Sequence, residues 1–203
     1  NNSQSQKSIC CVTDEFSAIN CLETIKQGFE TKLVICYETR EDVIHLVKII
    51  DKILPRMLKS EVELEFHKIS KFGKKSEDVL SKNSLITNIL IKSAKEKQIS
   101  HISLATSPLI FPSTYIETLQ KRIFSAGIIP HISLSGIDAE IMKNAKEIGM
   151  EKYIPKIEKF LKSNLAKSKS KLKNNEKTVK KIIKVKLGPN NVHTILDSLE
   201  IEH

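Results

Sequence analysis

A chain of 203 residues with 40% apolar content has the material for one good hydrophobic core. It carries no run of about 18 apolar residues and no signal-peptide pattern, so a cytoplasmic protein outside the membrane is expected. The net charge of +9 is unevenly placed: residues 151–190 hold 13 Lys against 3 Glu, whereas residues 1–150 are close to neutral.

In chain order, residues 1–7 (NNSQSQK) are polar and read as a linker to an upstream part. Residues 8–12 (SICCV) are small, apolar and uncharged, which suits a strand buried on both faces. A polar turn, Thr13-Asp14-Glu15-Phe16-Ser17, leads into a helix whose Ala18, Cys21, Leu22, Ile25 and Phe29 recur at helical spacing, with Gly28 closing it. A second strand spans 31–37. Val43, Leu46, Val47, Ile50 and Leu54 give the next helix, stopped near Pro55. Residues 61–69 alternate polar and apolar, which predicts a strand with one exposed face at the sheet edge.

Leu85, Ile86, Ile89, Leu90 and Ala94 mark a third helix and residues 99–104 a fourth strand. A loop with Pro108 and Pro112 precedes a helix through Ile116, Leu119, Ile123 and Phe124; residues 128–134 predict a fifth strand, and Ile137, Ile141, Ala145 and Ile148 a further helix. Strands alternating with helices through short loops predict an α/β fold: a parallel five-stranded sheet with helices on both faces, over residues 8–153. Residues 154–203 differ in kind. They read as a basic C-terminal extension: a helix through Ile154, Ile157, Leu161 and Leu165, the linker SKSKLKNNEK, a strand candidate at 179–187, and a closing helix through Val192, Ile195, Leu196 and Leu199.

A strand passing through a tight turn into a helix N-terminus is where such folds bind phosphate, because the first helical N–H groups are unpaired and the dipole is positive there. Three blocks carry a family likeness. The first is the strand, turn and helix from Val12 to Ser17 and on to Gly28; the second is Ile102-Ser103-Leu104-Ala105-Thr106, leading through the two prolines to Ser113-Thr114-Tyr115-Ile116-Glu117-Thr118-Leu119. The third is Gly136-Ile137-Asp138-Ala139-Glu140-Ile141, leading to Ala145-Lys146-Glu147-Ile148-Gly149. Together they resemble the PP-loop domain of tRNA 4-thiouridine synthetases, of the adenine nucleotide alpha-hydrolase-like, Rossmann-like fold. The likeness implies an ATP site at a SGGxDS loop, a TGE loop opposite it and a sulfur-carrying cysteine.

The departures bear on function. The SGGxDS positions read Val12-Thr13-Asp14-Glu15-Phe16-Ser17, so both glycines are lost and two acids occupy the loop. One like-charge contact at ~4 Å costs about 4 kcal/mol at an effective dielectric near 20, more than a helix dipole returns. ATP or AMP is therefore disfavoured, and no cofactor is expected. The TGE position reads Leu104-Ala105-Thr106, a CxxC-type segment is replaced by Leu80-Ser81-Lys82-Asn83-Ser84, and no cysteine follows Gly149. Under the resemblance the degenerate nucleotide loop comprises Thr13, Asp14, Ser17 and Thr106, with Ser107, Ser113 and Thr114 bordering the same cleft. The plainer role for Thr13 or Asp14 is a helix cap, and Asp14 with Glu15 is also a candidate to hold a divalent cation or to receive a basic partner.

Cys10, Cys11, Cys21 and Cys36 lack CxxC spacing and fit buried thiols of a reducing compartment. His67, His101 and His131 lie in or beside strands, with no carboxylate partner fixed by sequence. The lysines, among them Lys156, Lys159, Lys167, Lys169, Lys171, Lys173, Lys180 and Lys181, form the strongest compositional signal and fit phosphate contact without base reading, since few aromatics are interleaved. The reading is a non-catalytic PP-loop-like domain binding tRNA, another RNA or a protein partner. Two alternatives stand beside it: an active ATP-dependent tRNA sulfurtransferase with a remodelled loop, and a homo-oligomeric subunit pairing through the 61–69 edge or the last helix.

Overall fold

The computed structural model describes residues 6–57, 61–70, 76–111, 113–131, 137–161, 178–186 and 189–202. β1 (Lys7–Val12), β2 (Glu30–Tyr37), β3 (Glu61–Lys68), β4 (His101–Ser103), β5 (Ile129–His131) and β6 (Val179–Lys186) form one sheet in the order β5-β4-β1-β2-β3-β6. The first five strands are parallel, and β6 runs antiparallel to β3. The helices are α1 (Glu15–Lys26), α2 (Arg40–Ile53), α3 (Ser76–Lys97), α4 (Ser113–Ser125), α5 (Ile137–Glu147), α6 (Ile154–Leu161) and α7 (Asn191–Ser198).

The period-two alternation of the central strands sends their side chains into two separate cores. Cys10, Val12, Leu33 and Ile35 join residues of α1, α2, α5 and α7 in one; Ile9, Cys11, Val34 and Cys36 meet α3 and α4 in the other. Strand order explains the division. From β1 to β3 the chain moves one way across the sheet, and right-handed crossovers keep α1 and α2 on one face. From β3 it returns past β1 to β4, so α3 and α4 cover the opposite face. Phe16, Phe66 and Phe111 are fully buried, each stabilising the fold by about 1.5–3 kcal/mol relative to exposure.

Two expectations are corrected. The sheet has six strands rather than five, and the 61–69 segment is not an edge, because β6 pairs with β3 from Glu61↔Lys186 to Lys68↔Val179. The physical reason is complementary patterning. On one face Glu61 and Glu63 lie opposite Lys186 and Lys184; on the other Val62 and Leu64 lie opposite Val185 and Ile183. Consequently β6 and α7 belong to the sheet and its core, contributing Ile183, Val185, Ile195 and Leu196, and are not an appendage.

Candidate functional site

β1 and β4 are neighbours whose following helices leave to opposite faces, so a crevice opens beyond their carboxyl ends. The structure brings the four sequence-predicted loop residues Thr13, Asp14, Ser17 and Thr106 to this place. α1 begins there because Asp14, in extended conformation, forms a capping box with Ser17. The Ser17 amide donates to Asp14 Oδ1 at 3.0 Å, and the Ser17 hydroxyl accepts from the Thr13 amide at 2.8 Å and the Asp14 amide at 3.1 Å. One helix-start donor that would hold phosphate in a nucleotide loop, the Ser17 amide, is thus answered from within, as are the two amides that lead into the helix.

The crevice is also tied shut across its width. Asp14 Oδ2 accepts a short hydrogen bond from the Ser107 hydroxyl. One turn along α1, Asn20 Nδ2 donates to the Thr106 carbonyl at 3.1 Å, and Thr24 Oγ1 donates to Ser103 Oγ at 2.9 Å. Asp14, Ser17, Asn20 and Thr24 follow helical spacing and form a polar seam against the strand-β4 loop, of which Thr106 and Ser107 are buried. Sequence reasoning placed Ser107 beside Thr106 on this cleft but missed Asn20, Thr24 and Ser103. The signal that finds Asn20 and Thr24 is their spacing with Ser17, at i, i+3 and i+7 of α1.

Burial raises the Asp14 carboxyl above the ordinary aspartate range, against the hydrogen bond from Ser107 that lowers it. Glu15 beside it is buried and receives Lys156 from α6, with His45 Nε2 at 3.9 Å. The two acids are therefore engaged separately, Asp14 by hydroxyls and Glu15 by a lysine, and do not form a cation pair. Among the described residues no cluster of three metal-ligating side chains occurs.

Of the predicted RNA-contact lysines, four fall on described residues, two on α6 and two on β6. Lys156 is spent on Glu15, and Lys180 hydrogen-bonds Glu96 at 2.8 Å, which raises its ammonium above the usual lysine range. Lys159 on α6 and Lys181 on β6 are exposed. Lys167, Lys169, Lys171 and Lys173 lie outside the described residues.

Two further polar groups lie away from the crevice. Toward the opposite end of β1, His131 Nε2 shares a 2.6 Å hydrogen bond with Ser8 Oγ and stacks on Phe29 at 4.2 Å. Burial, then the nearby His101, lowers its pKa to about 4. On the α3 face, Lys32 Nζ lies 3.0 Å from Glu65 Oε1 and 3.3 Å from Glu63, Ser93 donates to Glu65 at 3.1 Å, and His67 Nε2 meets Glu65 Oε2 at 2.7 Å. These partners hold the Glu65 carboxyl at about 2 although burial opposes them. No Ser–His contact of nucleophilic type exists in this group, because both side chains point at the same carboxylate.

The four cysteines are free and buried. Cys11 and Cys21 are pushed well up by thiol neighbours, Cys36 and Cys10 respectively, and by burial, which keeps them protonated. No protein-family model matches this chain, and no curated protein matches it either.

Proposed function

We propose that this chain is a non-catalytic PP-loop-like domain, related to tRNA-thiolation enzymes, that works by contacting tRNA rather than by using ATP. The observation that carries the reading is Asp14. Its carboxylate stands where a nucleotide phosphate would meet the α1 N-terminus, and it is bonded to Ser17 and Ser107. A phosphate entering there would meet a like charge and find the Ser17 amide at the start of α1 already paired. Contact then falls to the basic stretch 162–177, with six lysines against one glutamate, acting on phosphates without reading bases.

The alternative of an ATP-dependent sulfurtransferase needs an accessible thiolate, and all four cysteines are buried. The pairing of subunits through the 61–69 edge is overturned, since β6 occupies that edge. Electrophoretic mobility shift with unmodified tRNA tests the tRNA reading. Binding should weaken steeply with salt and be lost on deletion of residues 162–177; salt-independent binding, or full binding by the deletion variant, would contradict it.

A further inference from the structure

β6 is the last strand in the sheet order, and its inner side pairs with β3. Among the described residues no strand meets the outer row of backbone donors and acceptors of this eight-residue strand. Its sequence, VKKIIKVK, holds four lysines and no acid. Ile183 and Val185 are buried, while Lys181, Lys184 and Lys186 are exposed, as are Val179 (69%) and Ile182 (38%).

The chemistry of an occupant is written in the partner that β6 already has. β3 offers Glu-Val-Glu-Leu-Glu, and its Glu61 and Glu63 stand opposite Lys186 and Lys184. Side chains on a strand rise from the sheet and reach neighbours on both flanks, so the same lysines face a strand added outside. A second copy of β6 is the wrong occupant. The centred antiparallel registers would set Lys181 opposite Lys184, or Lys180 opposite Lys184 or Lys186, and like charges directly opposite are destabilising.

We propose that the outer edge of β6 is a docking site for an extended acidic segment of a partner protein, one that alternates acidic and apolar residues and adds as a seventh strand. Main-chain hydrogen bonds supply the pairing, Lys184 and Lys186 select acids on one face, and Val179 receives an apolar side chain on the other. This inference is independent of the tRNA reading, which rests on residues 162–177.

Fluorescence anisotropy on the full chain tests it, with a labelled octapeptide alternating Glu and Val as the probe. The probe should bind, while its Lys–Val counterpart should not. N-methylation of alternate residues should abolish binding in one phase and spare it in the other, because only one row of amides faces β6. The double variant Lys184→Gln, Lys186→Gln should bind about tenfold more weakly. Equal binding of the two N-methylated probes would overturn the proposal in favour of charge attraction alone, and unchanged affinity of the double variant would overturn it as well. So would failure of the acidic probe where oligouridylate binds and the double variant loses that binding, which would make the edge a nucleic-acid surface. If the double variant does not fold, the N-methylated pair on the unaltered chain decides.

Discussion

The β1–β4 crevice and the β3–β6 edge are both polar regions built against one sheet, yet they dispose of polarity in opposite ways. In the crevice one carboxylate is satisfied by neutral hydroxyls and amides, and α1 is stitched to the β4 loop through Asp14, Asn20 and Thr24. At the edge full charges meet: Glu65, 1% exposed, is held by Lys32, His67 and Ser93, and Lys180 extends the group to α3. Neutral stitching closes a site with little electrostatic cost. A charge network closes a sheet edge but leaves surplus lysines outside it, so the crevice is inward-looking and the edge outward-looking.

The largest expected effect breaks the edge. Glu65→Ala strands Lys32, 8% exposed, with only the half-exposed Glu63 as counter-charge, and should destabilise the fold by about 3–5 kcal/mol. Urea unfolding reads this as a fall in midpoint with unchanged slope; a loss well under 1 kcal/mol would show that the network is ornamental.

Next comes pH, which separates the regions by window. His131 has its pKa lowered to about 4 from an ordinary 6.5, so the unfolded chain binds its proton first. The stability is complete above about 6.5 and is lost as pH falls toward 4, amounting to about 3 kcal/mol. Glu65, lowered to about 2, contributes stability that is present above the ordinary glutamate value of 4.5 and fades only below it. Thermal melts of the unaltered chain and of His131→Phe across pH 3–8 should differ in slope between about pH 4 and 6.5 and run parallel outside that window. Parallel curves throughout would remove His131 from the account.

A smaller effect concerns the crevice. Asp14→Ala removes the α1 cap and the acceptor for Ser107, and should cost about 1–2 kcal/mol in urea unfolding. Asp14→Asn keeps the cap through Oδ1, turns the Ser107 contact round so that Nδ2 donates to the hydroxyl, and removes a charge that burial disfavours, so it should cost less than Asp14→Ala at pH 7. The smallest effect is Lys180→Met. Its ion pair with Glu96 is substantially solvated, and loss of less than about 1 kcal/mol is expected from the same measurement.

How much of this was legible in the sequence depends on how local the cause is. The β1–α1–β2 unit follows from uninterrupted apolar strands and one helical stripe, and Asp14 as a cap follows from its position three residues before Ser17. The strand at 179–187 was readable as a strand, but nothing nearby in the chain says that it returns antiparallel beside β3. The clue was distant and electrostatic: glutamates at 61 and 63 matching lysines at 186 and 184. The lysines misled for a related reason. A count of charges cannot tell Lys156, folded back on Glu15, from Lys159, exposed one turn away on the same helix. The polar seam of α1 was legible as spacing, though its partner Ser103 emerges only once β4 is placed beside β1.

Isothermal titration calorimetry of the full chain with magnesium ATP at millimolar concentration tests the central claim most directly. The account predicts no saturable heat, because Asp14 already occupies the α1 N-terminus and repels a polyphosphate. Saturable binding that Asp14→Ala weakens would place the nucleotide against that carboxylate and contradict it.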